Sequence, residues 1–442
     1  MDATERVRRA VETSDGTTRS ALAAELGLPL GTVTTAVAGL LQSGVLAERV
    51  QRSAAAERGG REESAGRAGR AGAARTGRPP ALLVPTGPPR TVGTVVWTHG
   101  RLQAAVTTYG GTVLARGDLD ADDGAAGPAV LEPAWRFLEQ AGCGPLDRVV
   151  LGVPAPFQRG VGLPPARPPV PGGPEPDPVS RLGQSPEDRG DESRDTDGRD
   201  TASRAAGVGR PRPAGEGPRA GFAPWLRPDP AAALAERLGA PVVIENDANL
   251  GALGEARAGA GRGHRSQIYL KVGERSVGGG LVLDGALYRG ISGFAGEVAH
   301  IHADDDGPVC ACGARGCLSA RARQVLRELM EHTYDRPLTF AEVLRLADAD
   351  EPAPARALRE VGRTLGRPLA DLCTFLDPGV LILDGALGPA GRHVLAGLRE
   401  QIERYCSPAV AASLTILPGA LGADADIHGA VQLARTEALA AA

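Results

Sequence analysis

The chain has 442 residues, 53 acidic against 49 basic side chains for a formal charge of −4, and 61 Gly with 36 Pro. That length excludes a stapled mini-protein and supports two or three domains with their own cores. An apolar content of 42% sustains globular folding, whereas 3% aromatic residues and so much Gly and Pro predict stretches that do not pack. No apolar run reaches the length of a bilayer crossing, and Met1-Asp2-Ala3-Thr4-Glu5-Arg6 lacks the apolar core of a secretion signal. A cytoplasmic protein without membrane attachment is expected.

Residues 1–50 read as short helices. A helix around Glu5 to Glu12 comes first. Leu22 and Leu26 then form an apolar stripe behind Thr18, an N-cap, with Gly27 as the stop. Val33, Val37, Leu40 and Leu41 give the next helix one core-facing side, and Gly44 ends it. With the turn Gly27-Leu28-Pro29 between them and Val45-Leu46-Ala47-Glu48 behind, these helices read as a winged helix-turn-helix, which sets its second helix in a DNA major groove. A three-helix adaptor without a DNA role has the same pattern. Thr32, Thr34 and Thr35 face away from the packed stripe and are the candidate base or phosphate contacts, with Arg19 and Arg49 as phosphate contacts. Because no Arg or Asn accompanies the threonines, limited base readout is expected.

Residues 51–80 are rich in Arg, Gly and Ala and read as a wing or linker. Seven Arg against three Glu between 51 and 78 make this front basic, which suits a polyanionic partner. Arg78, in Gly77-Arg78-Pro79, is a candidate minor-groove contact, and a plain linker reads the same way. Residues 81–157 read as strands plus one helix. Between Gln158 and Ala220 lie twelve prolines and no Ile, Phe, Tyr, Trp or Met, so 158–220 is expected to be a disordered insertion. From 221 to 442 the pattern is globular again. Strands are expected at Pro241 to Glu245, Gln267 to Gly273, Leu281 to Leu283 and Val380 to Leu383, alternating with helices in an α/β arrangement.

Two motifs in this last part carry chemistry. Ile244-Glu245-Asn246-Asp247-Ala248-Asn249 lies where a strand gives way to a helix, and a carboxylate there can accept from a ligand hydroxyl or act as its base. Ordinary helix capping uses the same residue types. Next comes Gly293-Phe294-Ala295-Gly296-Glu297-Val298-Ala299-His300, followed by Cys310-Ala311-Cys312-Gly313-Ala314-Arg315-Gly316-Cys317. His300, Cys310, Cys312 and Cys317 supply the four N and S ligands of a closed structural zinc site. His302 competes with His300 on spacing, two residues on along the expected strand. Cys143, Cys373 and Cys406 are scattered and read as buried thiols.

The Glu-Asn-Asp-Ala-Asn, Gly-Glu-x-x-His and Cys-x-Cys-Gly-x-x-Gly-Cys segments, in this order and spacing, resemble the ROK family, named for repressors, open reading frames and kinases. The resemblance runs over nearly the whole chain apart from 51–80 and 158–220, and the winged helix in front is like that of the family's repressors. It implies an α/β fold, an N-terminal winged helix-turn-helix followed by a two-lobed body of actin-like, ribonuclease-H-like fold. By the same resemblance Asp247 is the sugar-facing carboxylate, the residual kinase-base position, Asn246 and Glu297 bind sugar hydroxyls, and His300 ligates zinc while bordering the sugar.

Kinases of this family carry Asp-x-Gly-Gly-Thr on their first hairpin, and this chain has Val95-Val96-Trp97-Thr98-His99. Their second phosphate loop, Gly-Thr-Gly-x-Gly, aligns with Glu274-Arg275-Ser276-Val277-Gly278. A like charge about 4 Å from a phosphate costs roughly 4 kcal/mol at an effective dielectric of 20. Asp384-Gly385 replaces Gly-Gly near the adenosine position, Ser319 replaces a Glu, and Gly221 stands where an Asn precedes the cleft tryptophan, here Trp225. The expectation is a regulator with no catalytic residue, a homodimer or homotetramer that binds a double-stranded DNA operator and senses a sugar-like effector. An active sugar kinase and an effector-independent DNA-binding dimer are the alternatives.

Overall fold

Asp2 accepts the Glu5 amide at 2.8 Å and starts α1 (Ala3–Glu12). Thr18 does the same for α2 (Arg19–Leu26) through the Ala21 amide at 3.2 Å, and Gly27, at φ 61°, closes it in the left-handed conformation expected of a C-terminal glycine. Pro29 leads into α3 (Leu30–Gln42), whose Val33, Val37 and Leu40 are buried against Val7, Val11 and Leu22. The computed structural model describes residues 2–50, 81–88, 90–98, 101–121, 127–163, 226, 229–274, 276–310 and 312–441.

A two-stranded antiparallel ribbon completes this head: β1 (Leu46–Val50) pairs with β2 (Ala81–Pro85), Leu46 opposite Pro85 and Val50 opposite Ala81. Leu83 is fully buried in the head's core and its backbone bridges to Thr17. The head therefore takes a strand from beyond 51–80, where the sequence suggested that the body begins.

The remaining elements follow in chain order. They are β3 (Thr91–Thr98), β4 (Arg101–Thr108), β5 (Val113–Asp120), α4 (Glu132–Gln140), β6 (Leu146–Val153), α5 (Ala231–Leu238), β7 (Val242–Asn246), α6 (Asp247–Ala258), β8 (Gln267–Val272), β9 (Val277–Leu283) and β10 (Ala286–Leu287). Then come α7 (Leu318–His332), α8 (Phe340–Asp348), α9 (Pro352–Leu376), β11 (Val380–Gly385), α10 (Gly391–Tyr405), α11 (Pro408–Ser413), β12 (Thr415–Pro418) and α12 (Ala425–Ala440). All four strands expected beyond residue 221 are present. The 221–442 stretch does not stay in one piece, because the chain divides into two compact units. One holds Met1–Pro154, Asp229–Gly263 and Ala423–Ala442, the other Ala155–Pro228 and His264–Gly422.

Each unit is built on the same sheet plan. In the first, the order β5-β4-β3-β6-β7 has an antiparallel meander followed by β6 parallel to β3 and β7 parallel to β6. In the second, β10-β9-β8-β11-β12 repeats that pattern, with β11 parallel to β8 and β12 parallel to β11. This repetition is the ribonuclease-H-like, actin-like architecture that the resemblance implies. In the first unit α6 and α12 bury Leu250, Ala430 and Leu433 against Val92, Val150 and Val243. In the second, α7, α9 and α10 cover Ile268, Leu270, Leu381 and Leu383. There Gly362 of α9 allows close helix packing: a Cβ on it would stand 2.0 Å from the Val394 carbonyl of α10.

Within the first unit the head is fastened to the sheet by polar bonds. Asp15 accepts from the hydroxyls of Thr108 and Thr112 at 2.8 and 3.1 Å and from the Gly110 amide at 3.2 Å. Arg90 pairs with Glu12 of α1 at 3.2 Å and with Asp147 of β6. Tyr109 also donates to Asp147, at 2.6 Å, and burial together with that carboxylate pushes its phenol up.

Of the stretch 158–220, residues 158–163 are described. Gln158 and Gly162 exchange backbone bonds at 3.0 and 2.7 Å, and the Leu163 amide bonds the Leu226 carbonyl at 3.2 Å. Residues 164–220 and 51–80 lie outside the described residues, as do Arg78, Gly221 and Trp225. Of the scattered thiols, Cys373 and Cys406 are buried as expected, whereas Cys143 is half-buried on the turn after α4. No helix among the described residues is long and apolar enough to cross a membrane.

Candidate functional site

The sequence wraps its four proposed metal ligands around two turns. His300 ends a single 3-10 turn, Val298–His300, and not the strand expected there. Cys310 opens a knuckle in which its amide donates to the Ala314 carbonyl at 2.7 Å and the Gly313 amide donates back to the Cys310 carbonyl at 2.9 Å. Cys317 stands at the N-terminus of α7. Gly316 has φ 67°, and a Cβ there would fall 1.6 Å from the Asp304 carbonyl oxygen, so only glycine lets the loop return to α7.

The ligand atoms of His300, Cys310, Cys312 and Cys317 all lie within 4.8 Å of one another. Cys310 Sγ is 3.6 Å from His300 Nδ1, and Cys312 Sγ is 3.6 Å from Cys317 Sγ. Tetrahedral bonds of about 2.3 Å to sulfur and about 2.0 Å to nitrogen separate neighbouring ligand atoms by about 3.5–3.8 Å, so the cluster can hold a metal ion. Burial pushes the Cys310 and Cys317 thiols up and the His300 imidazole down. A bound cation reverses the thiol effect by stabilising the thiolates. His302 is outside the cluster. Its Nε2 lies 3.3 Å from Asp305 Oδ1, and its backbone bridges to Cys317.

The Glu-Asn-Asp segment lies where expected, at the junction of β7 and α6. Asn246 Oδ1 accepts the Asn249 amide at 3.1 Å and caps the helix, and Asp247 Oδ1 accepts the Ala248 amide at 2.9 Å. Helix capping therefore engages both side chains, and Asp247 is half-buried at the positive helix end. One buried carboxylate on β7 and one on α6 are engaged as well. Glu245 accepts from Asn246 N at 3.1 Å and from Asn249 Nδ2 at 3.0 Å, and Glu255 accepts the Ala260 amide at 2.6 Å. Asn246 and Asp247 belong to the first unit, Glu297 and His300 to the second.

Three further positions are departures from the family's kinases. Val95, Val96 and Trp97 are buried at the end of β3. Ser319 is turned toward the protein backbone, where its Oγ accepts the Val277 amide at 3.2 Å at the start of β9. Tyr269 donates to Asp384 at 3.1 Å, and a Cβ on Gly419 would stand 2.4 Å from the Asp384 carboxyl carbon.

On the head, Thr32, Thr34 and Thr35 are exposed on α3 as expected. Arg49 is exposed on β1, whereas Arg19 is engaged by Glu48 at 2.7 Å.

Comparison with known proteins gives one family and two kinds of relative. A family model described as the ROK family matches residues 224–437. The xylose repressor of Bacillus spizizenii is 32% identical over 207 residues, 46% of this chain and 53% of the repressor. The chain thus spans about half the length of that relative. The glucokinase of Thermotoga maritima is 33% identical over 216 residues, 45% of this chain and 68% of the enzyme. Among solved structures, a ROK family transcriptional regulator, homologue of the E. coli MLC protein, matches with a TM-score of 0.66 at 17% identity. That match covers 99% of this chain and 95% of the regulator, and it is a likeness of fold.

Proposed function

Because the chain belongs to the ROK family, we propose that it is a DNA-binding transcriptional regulator, acting as a repressor, whose body responds to a sugar or related polyol. The observation that carries this reading is the winged helix-turn-helix head, with α3 exposed on the side away from its core. The xylose repressor likeness supports it. In the proposed cycle a homodimer or homotetramer offers two or more heads to a double-stranded operator. The effector acts by linkage, altering operator affinity through its preference for one arrangement of the subunits. Asn246, Asp247, Glu297 and His300 are the side chains assigned to effector hydroxyls. The ion held by His300, Cys310, Cys312 and Cys317 is assigned as structural Zn2+, which suits three thiolates and one imidazole.

The glucokinase likeness and the carboxylate of Asp247 favour a second reading, an ATP-dependent sugar kinase. Against it stand the positions described above. Buried Val95, Val96 and Trp97 offer no carboxylate or glycine pair to a phosphate, Ser319 is engaged with the Val277 backbone, and Asp384 with Tyr269 occupies the place of the family's Gly-Gly.

Band-shift titration with the DNA flanking the gene, run beside a coupled ADP-release assay over a panel of hexoses, pentoses and acetamido-hexoses, separates the two. A salt-sensitive specific complex, altered by one sugar, without ADP release is the expected result. ADP release that Asp247→Asn abolishes, with no retarded complex, would replace the regulator by the kinase.

A further inference from the structure

The side of α3 that faces away from the head's core is poor in proton donors. Between Leu30 and Gln42 there is no Arg, Lys or Asn. The exposed positions are Leu30, Gly31, Thr32, Thr34, Thr35, Ala38 and Gly39, with Gln42 at the far end. Leu30 is 54% exposed, so this face carries an apolar side chain at its start.

The two central threonines have already spent their protons. Thr34 Oγ1 donates to the Leu30 carbonyl at 2.8 Å and Thr35 Oγ1 donates to the Gly31 carbonyl at 3.1 Å. Each retains a methyl group and acceptor lone pairs. Thr32 differs: its hydroxyl has no intramolecular partner among the described residues, and it lies in a first helical turn without a side-chain cap. That turn suits a phosphate oxygen.

In the major groove, guanine presents two acceptors and calls for donors, commonly Arg or Lys. An A·T pair presents the thymine C5-methyl and the adenine N6 donor. Apolar contacts from Leu30, Ala38 and the threonine methyls, with hydroxyl lone pairs left to accept, match the second pattern and not the first.

We infer that α3 reads A·T-rich steps through thymine methyl groups, with Leu30, Thr34, Thr35 and Ala38 as the specificity-determining residues. The inference rests on the DNA-binding reading proposed above and narrows its substrate to duplexes whose half-sites present thymine methyls to the major groove.

The test uses the whole chain and a duplex that it enriches from a random-sequence library. That duplex is then compared, by fluorescence anisotropy, with one in which deoxyuridine replaces every half-site thymine. The replacement deletes only the C5-methyl, a major-groove group, so A·T preference arising from a minor-groove arm is unaffected. Affinity is expected to fall about fourfold for each contacted methyl, the ratio for burying one methyl-sized group. Thr34→Ser with Thr35→Ser, which keeps the hydroxyls, is expected to show a smaller thymine preference than the wild type. Thr34→Val with Thr35→Val, which keeps the methyls, is expected to retain the thymine preference.

Equal affinity of the wild-type chain for both duplexes would overturn the inference and leave DNA binding standing, as would half-sites rich in G·C. A thymine preference kept by the serine variant and lost by the valine variant would overturn it too. If Leu30→Ser changes the chain's mass in solution without changing DNA affinity, the face belongs to a protein partner and the inference fails. Absence of any enriched duplex removes both the inference and the reading beneath it.

Discussion

Cys310 and Cys317 are the two buried thiols of the cluster that could hold a metal ion. Burial pushes both thiols up. Cys310→Ser or Cys317→Ser is therefore expected to release the metal, read as zinc per chain by inductively coupled plasma mass spectrometry, and to lower the urea midpoint. A zinc-free wild type with variants of equal stability would exclude a structural ion. Gly316→Ala tests the same centre without touching a ligand, since its methyl group collides with the Asp304 carbonyl; metal loss is expected there as well. On the head, exposed Arg49 and engaged Arg19 should differ. Arg49→Ala is expected to lower the slope of log affinity against log salt by about 1, whereas Arg19→Ala should change it less, because Glu48 already neutralises Arg19.

At the scale of elements, α8 shows how local chemistry sets a helix start. Thr339 and Glu342 form a reciprocal capping box, and Arg336 adds an ion pair. Thr339→Ala should cost about 1 kcal/mol of stability by urea denaturation. Arg336 and the Thr339 donors lower the Glu342 carboxyl from 4.5 to about 2. A lowered folded-state value means that the stabilisation is complete above the ordinary carboxylate range and is lost as pH falls toward 2. The gap in urea midpoint between wild type and Glu342→Gln should accordingly be widest near neutrality and narrow below pH 4.5; a gap independent of pH would exclude the carboxylate as its cause. Elements of this kind were readable in the sequence because their signals are local. Thr18 and Gly27 bracket α2, apolar spacing marks α3, and four ligands within eighteen residues mark the metal turn. The partner of β1 was not readable, since β2 lies beyond 51–80 and carries no mark of which strand it joins.

The whole molecule repeats one sheet plan in two units and adds the head to the first. The sequence announced alternating strands and helices, and so the fold class, but not that 229–263 and 423–442 return to the first unit, since such pairing depends on distant packing. The same limit applied to the bonds of Ser319 with Val277 and of Tyr269 with Asp384, which join residues 42 and 115 positions apart. Motif comparison flagged Ser319 and Asp384 as departures, and geometry supplies their partners. The reading proposed above joins a body with the fold of the ROK family to a head that binds DNA. The most direct measurement is the affinity of the 442-residue chain for an enriched duplex, against an unrelated duplex, over a salt series with and without each sugar of the panel. A sequence-specific complex, weakened by salt, whose affinity one sugar changes, is the expected result. Equal affinity for both duplexes at every salt concentration would contradict it.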